Sequence, residues 1–258
     1  ALVVGIGPLS QWKRSKPESW LKPVLIAFVS SLILGLLLPQ TFGDGLHIGA
    51  IIGVLLAAWI VLSSVVNLRD KVRNAATLMQ GLRRLTPSYY GMLTAHIGFA
   101  CSVLGVAMVT SFNHEQDIRM TVGERTESAF SYSVSFDSIQ AISGPNYQGQ
   151  RGTFSLWKDG EFIAEMHPEK RRYHARSSQV MTEAAIDAGL MRDVFIALGE
   201  PVGKDAWAVR VHVKPFIRWI WLGALLMALG GLLAICDKRY RPKQKAIIDG
   251  NGDRSATV

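Results

Sequence analysis

With 258 residues, 49% of them apolar, and a mean hydropathy of +0.21, the chain is too apolar for an ordinary soluble domain and reads as a membrane protein. Its net charge of +8 is not a nucleic-acid signal, because Lys and Arg gather in short segments beside the apolar runs. Cys101 and Cys236 both fall in apolar runs and form no CxxC pair, so neither a disulfide framework nor a zinc site is indicated.

In chain order, residues 1–9 (ALVVGIGPL) are apolar and lack the charged start of a signal peptide, so they read as the end of an upstream span. The chain is accordingly expected to be a fragment or a split-gene product. Ser10 to Lys22 is polar and carries Lys13, Arg14, Lys16 and Lys22. Uncharged runs follow at residues 24–42 and 48–68, joined by a short turn containing Asp44 and His47, and predict an antiparallel helical hairpin. Residues 69–88 bring Arg69, Lys71, Arg73, Arg83 and Arg84, with a short helical piece expected in NAATLMQGLRRL. By the positive-inside rule this loop and Ser10–Lys22 are cytoplasmic.

The run at residues 89–112 is a third predicted span, and its only strongly polar side chain is His96, an ionisable group. Such a residue in lipid faces a partner, a cavity or a metal. Two readings of it stand: a hydrogen bond to a neighbouring helix, or an axial ligand to haem iron. The small residues Ala95, Gly98, Ala100, Ser102 and Gly105 allow room for a flat macrocycle and equally suit close helix packing.

Residues 113–214 form the one soluble stretch. Its fourteen acids against twelve Lys and Arg lack the basic bias of the inner loops, and it follows an outward-running helix, which places it outside. Alternation at Tyr132–Phe136, Thr153–Trp157, Phe162–Met166 and Trp207–Val213 predicts strands, and Asp159-Gly160 predicts a hairpin. Apolar residues at Ile186, Leu190, Val194 and Leu198, with Gly199 as a stop, predict one helix over Thr182–Leu198, on which Glu183 and Asp187 lie at i, i+4. The stretch EKRRYHAR, with Lys170, Arg171, Arg172 and Arg176, reads as a solvated edge or as a docking surface for an acidic group. No HExxH, GxSxG, P-loop or GxGxxG pattern occurs. Residues 215–236 are the last span, with Arg218 snorkelling outward among Phe216, Trp219 and Trp221. The tail at residues 237–258 is expected to be cytoplasmic and disordered. The predicted fold is thus a polytopic α-helical membrane protein with an inserted, mainly β outer domain, compact and possible as a small barrel.

Four segments carry more than composition: GIGPLSQWKR at Gly5–Arg14, AHIGFA at Ala95–Ala100, MTEAAIDAGLMRDVFIALGE at Met181–Glu200, and VKPFIRWIWLGALLMALGGLLAICDKRYR at Val213–Arg241. Together and in this order they resemble the CcmF/NrfE family of cytochrome c haem lyase subunits, C-terminal portion. The resemblance implies a multi-pass protein of the bacterial inner membrane whose soluble domain is periplasmic. It implies haem taken from a periplasmic haem chaperone, CcmE, and joined to the CxxCH thiols of apocytochrome c, with CcmH-type thiol-reducing subunits as further partners. It also implies a membrane haem b with His96 as one axial ligand to its iron. Arg83, Arg84, Tyr89 and Tyr90 then become the candidate propionate contacts. The family's tryptophan-rich motif, its external haem-binding histidines and its first membrane histidine are absent from this sequence, and His47, His114, His167, His174 and His212 match no family role. Alone, the chain is expected not to complete the lyase reaction. Two further readings are a transporter subunit for haem or another organic anion, and an assembly scaffold without a cofactor.

Overall fold

The computed structural model describes residues 1–6, 17–43, 45–174, 180–203 and 205–237. Residues 7–9 of the expected upstream span, the cations Lys13, Arg14 and Lys16, the turn residue Asp44, Arg176 and the tail from residue 238 lie outside the described residues.

The uncharged runs become helices because a helix satisfies its own backbone donors and acceptors where no water can. In order they are α1 (Leu2–Ile6), α2 (Pro17–Leu37, then a 3-10 turn at Pro39–Thr41), α3 (Ile48–Val72), α4 (Leu78–Arg83), α5 (Pro87–Phe112) and, after the soluble stretch, α6 (Ile217–Ile235). Four segments among the described residues, Leu21–Thr41, Ile48–Val72, Pro87–Phe112 and Ile217–Ile235, are long and apolar enough to cross a membrane. The short helix expected in the basic loop is α4, capped by the Thr77 side chain.

Between α3 and α6, and antiparallel to both, runs α5. Its α6 side is a row of small residues: Gly91, Ala95, Gly98, Ser102 and Gly105. A Cβ added to Gly91 would lie 2.5 Å from the Gly230 carbonyl oxygen, and one on Gly98 would lie 2.7 Å from that of Gly223. The two backbones therefore touch, and dispersion along a small-residue seam holds them. This corrects one of the two readings of the small residues. Ala95, Gly98, Ser102 and Gly105 face α6 and leave no room for a macrocycle, while Ala100 packs with Ala57 and Ile60 of α3. On the α3 side Gly53 admits Ala107, and Tyr89 donates its hydroxyl proton to Asn67 Oδ1 at 2.7 Å. Farther out, α2 lies on α3 through Gly35 against Leu55 and an edge-to-face Phe28–Trp59 pair at 5.8 Å.

The soluble stretch is a sandwich whose described residues form ten strands: β1 (His114–Thr121), β2 (Arg125–Glu127), β3 (Tyr132–Ser143), β4 (Tyr147–Lys158), β5 (Glu161–Met166), β6 (Glu169–Tyr173), β7 (Val180–Glu183), β8 (Ala185–Ala188), β9 (Arg192–Pro201) and β10 (Ala206–Pro215). One sheet runs β1-β10-β9-β8; the other runs β2-β3-β4-β6-β7, with β5 also on β4. Their facing sides bury Met120, Val134, Phe136, Phe154, Leu156, Val194, Ile196, Leu198, Val209 and Val211, with Phe136 and Phe154 stacked at 4.5 Å. The Asp159-Gly160 hairpin forms as expected, both residues taking positive φ (50° and 86°), the signature of a primed turn.

The helix expected over Thr182–Leu198 is not there; β7, β8 and β9 occupy it. Of its supposed apolar stripe, Val194 and Leu198 are fully buried but Ile186 and Leu190 are exposed. The pattern that wins is alternation along β9, where Val194, Ile196 and Leu198 point inward opposite β10 and Gly189 turns the chain before it. Glu183 and Asp187 consequently sit on different strands rather than one helix face. The sandwich is joined to the bundle without spacers: Asn113 alone separates α5 from β1, and Phe216 alone separates β10 from α6.

Adjacent glycines test the seam. Gly230→Ala pushes a Cβ to 2.5 Å from the Gly91 carbonyl oxygen, whereas Gly231→Ala meets nothing within 4 Å. Thermal unfolding in detergent is expected to show a loss of about 1–3 kcal/mol for the first and no loss for the second. Equal effects would place the seam elsewhere.

Candidate functional site

His96 lies in the tenth position of α5, roughly 14 Å along the helix from Pro87 at 1.5 Å per residue. It shares a helical face with Tyr89 and Val103, seven residues to either side, and that face meets α3 rather than α6. The imidazole is half-buried. Its Nδ1 lies 2.7 Å from the Met92 carbonyl oxygen. A carbonyl only accepts, so Nδ1 carries the proton and Nε2 holds a lone pair. Among the described residues Nε2 has no hydrogen-bond partner. This orientation, one nitrogen tied to a backbone oxygen and the other open, is the arrangement in which histidine binds a metal.

The start of α5 is held from three sides. Thr86 Oγ1 accepts from the Tyr89 N–H at 3.3 Å, and the buried carboxylate of Asp237, just past the end of α6, accepts from the Ser88 N–H at 3.1 Å. An anion at a helix N-terminus is favoured by the unpaired amides there. On α3, Asn67 receives the Tyr89 hydroxyl. Neither Asp237 nor Asn67 is among the residues that the sequence singles out for the site. The usable signal for Asn67 is an amide in an otherwise apolar run; nothing local in the sequence pairs Asp237 with Ser88.

The candidate propionate contacts separate into two kinds. Tyr89 gives its proton to Asn67, and Tyr90 gives its own to the Leu82 carbonyl at 2.8 Å, so both phenols are committed as donors. Arg83 and Arg84, at the end of α4, are exposed and make no ion pair among the described residues. Lys71 stands over the Tyr89 ring at 5.7 Å and is a further cation at this end of the bundle. An apolar groove of about 360 Å³, lined by Leu34, Val61, Ala100, Cys101, Met108 and Trp219 among others, runs along the other part of α5 and does not include His96.

The remaining histidines stay apart from His96. His47 packs against the Phe112 ring, tilted, with centroids 4.6 Å apart, His167 pairs with Glu165, and His114 and His174 are exposed. His212, on β10, has its pKa pushed down by burial and by Lys214. Among the described residues no three His, Cys, Asp or Glu side chains gather as a metal site.

The basic strip is β6, and much of its charge is spent internally. Glu169, with its side chain 8% exposed, binds Arg151 and Arg171; Lys170 pairs with Glu200 at 2.6 Å across the two sheets; Arg171 also stacks on Tyr147. Beside it, Gln148, Gln150, Lys170, Arg172 and Trp207 line a polar cleft of about 350 Å³. Arg218 does not merely reach outward but pairs with Asp193 of β9 at 2.9 Å, and the Trp219 indole donates to the Leu190 carbonyl at 3.1 Å.

Comparison with known proteins places this geometry. Residues 111–215 match the family described as the CcmF C-terminal beta-sandwich. The chain is 44% identical over 246 residues to the cytochrome c-type biogenesis protein CcmF of Pseudomonas fluorescens, covering 95% of this chain and 36% of that protein. It is 39% identical over 243 residues to CcmF of Escherichia coli K12 (94% and 36%) and 31% identical over 221 residues to NrfE of Haemophilus influenzae (84% and 32%). A solved structure titled "Cytochrome c Heme Lyase CcmF" superposes with a TM-score of 0.69 at 20% identity, over 91% of this chain and 38% of that one, and so shares its fold. The chain thus spans little more than a third of the length of the CcmF relatives it matches.

The Glu169 cluster gives a pH test. Burial opposes its ionisation most strongly, but hydrogen bonds from Arg171 and Arg151 outweigh this and hold its pKa below the usual 4.5. A depressed carboxylate contributes stability that is fully present above 4.5 and is lost as pH falls through its lowered value. Unfolding followed from pH 6 to about pH 3 is expected to show this acid loss in the native protein and a weaker one in Glu169→Gln, which should also be less stable at neutral pH. Parallel curves would contradict it.

Proposed function

The chain belongs to the CcmF family of cytochrome c-type biogenesis proteins, of which it carries the C-terminal portion, and on that premise we propose that His96 is one axial ligand of a membrane haem b. The observation that carries this reading is the imidazole itself: Nδ1–H tied to the Met92 carbonyl, Nε2 open, on a helix clamped along two sides. Its donor chemistry fits the iron of such a group, which His96 would hold through Nε2. No other histidine lies in a spanning helix among the described residues, so a second histidine ligand would have to come from elsewhere in the full protein. The α6 side of α5 is closed by backbone contact, so the group would be held from the opposite side, where His96 lies.

A haem b held there would supply one-electron redox chemistry to the site. The chain's own residues hold and orient. Met92 fixes the imidazole tautomer and ring orientation, which leaves the Nε2 lone pair directed away from the helix backbone. The seam with α6 and the Asp237 contact fix the height and rotation of α5. Arg83 and Arg84 offer cations to the propionates, while Tyr89 and Tyr90 secure the helix ends rather than donating to ligand.

In this reading the basic loops face the cytoplasm, the helices cross the bacterial inner membrane, and the sandwich is periplasmic. The whole protein accepts haem from a CcmE-type chaperone and attaches it to the CxxCH thiols of apocytochrome c, together with CcmH-type subunits. Docking is the part assigned to the sandwich. The cleft lined by Lys170, Arg172 and Trp207 is the seat proposed for an acidic group of a partner.

His96→Ala in the complete protein is expected to abolish the b-type absorbance and lower the yield of mature cytochrome c, with the protein still inserted and folded. Unchanged absorbance and yield would remove His96 from the site.

A further inference from the structure

The base of the sandwich carries apolar side chains that the fold does not use. With one residue between each helix and its strand, the ends of β1 and β10 stand at the level where α5 and α6 leave the membrane. The hairpin between β8 and β9 reaches down to the same level and is bonded there by its backbone. The Leu190 carbonyl accepts from the Trp219 indole at 3.1 Å, and the Met191 carbonyl accepts from the Phe216 N–H at 2.8 Å. Asp193, which also receives the Gly189 N–H, holds Arg218. With these backbone groups turned toward α6, the side chains of Leu190 and Met191 are left 62% and 53% exposed.

A second base loop repeats the pattern. Phe130 and Ser131 both take left-handed backbone conformations (φ 58° and 60°), which side chains other than glycine's adopt at a cost. The result leaves Phe130 38% exposed, one residue from the Ser131 carbonyl that receives the Asp159 N–H. Arg192, at the foot of β9, ties this loop to the hairpin by donating to the Tyr132 hydroxyl at 2.5 Å. Two lysines at the same end, Lys158 and Lys214, have no acid partner among the described residues and lie over the Tyr132 and Phe195 rings instead. Trp221, 72% exposed on α6, completes the level.

We propose that Phe130, Leu190 and Met191 insert into the interfacial zone of the leaflet beneath the sandwich, with Lys158 and Lys214 at the headgroup phosphates. The occupant of this surface is lipid. The hairpin is bonded to the first turn of a membrane-spanning helix, so the depth of its side chains is set by the depth of Trp219. Apolar side chains flanked by indoles and unpaired cations are also the composition of a membrane interface. The seat would restrain the sandwich from tilting on its one-residue joints and so hold the cleft beside β6 at a fixed height above the bilayer.

The test uses the full-length protein in nanodiscs of phosphatidylethanolamine and phosphatidylglycerol, with Cys101, Cys236 and any upstream cysteine replaced by alanine. Nitroxide labels are placed singly at Leu190→Cys, Met191→Cys and Phe130→Cys, and at Ser143→Cys on the far end of β3 as a control. Collision with oxygen, which concentrates in lipid, and with a water-soluble nickel chelate is then measured. Lipid insertion predicts severalfold higher oxygen and severalfold lower nickel collision at the base positions than at Ser143→Cys. Labels that behave like the control would show a base standing in water, and labels shielded from both agents would show a base covered by protein. Either result overturns the proposal, and three independent base positions keep it testable should one variant fail to fold.

Discussion

Backbone contact between α5 and α6 is the constraint on which the rest of the molecule depends. Gly91 on Gly230 and Gly98 on Gly223 bring two helices closer than any side chain would permit. In a lipid environment, where apolar surface gains nothing by leaving the solvent, such packing is the main source of helix association. The seam consumes one side of α5 entirely. What remains for chemistry is the opposite side, and His96 is on it. The same contact fixes the last turn of α6 beside the first turn of α5, which is why Asp237 can reach the Ser88 amide.

From that seam the geometry extends into the soluble domain. α5 and α6 each continue into a strand after one residue, and β1 and β10 are neighbours in one sheet. The helix pair is therefore the direct support of the sandwich. At the joint, Phe216 is a bulky residue in a left-handed conformation, held by its N–H bond to Met191 and by packing against Phe42 and Trp219. The Arg218–Asp193 pair braces the same corner. The joint between the sandwich and the helix pair is thus packed rather than loosely tethered.

Much of this architecture is legible in the amino-acid order alone. Spans, the basic loops and the strand alternation follow from hydropathy and period, and His96 stands out because lipid penalises an imidazole with no purpose. Three features are not legible there. Ile186, Leu190, Val194 and Leu198 fit a helical stripe, but burial of Val194, Ile196 and Leu198 against β10 decides for a strand, and their partners Val213, Val211 and Val209 come later in the chain than any local pattern reaches. The small residues near His96 fit a cofactor slot and a packing seam equally, because both ask only for the absence of bulk. Tyr89 and Tyr90 look like ligand donors, since a sequence shows a hydroxyl but not where its single proton goes.

On the proposed reading the chain holds half of a site, an imidazole with Nε2 open, and the second ligand would come from outside a chain that spans little more than a third of its CcmF relatives. The most direct measurement is chemical rescue. In the full-length protein carrying His96→Gly, the visible spectrum is recorded without and with added imidazole. Ligation by Nε2 of His96 predicts loss of the b-type bands and their return as imidazole occupies the vacated position. Bands that persist in His96→Gly and ignore imidazole would contradict it.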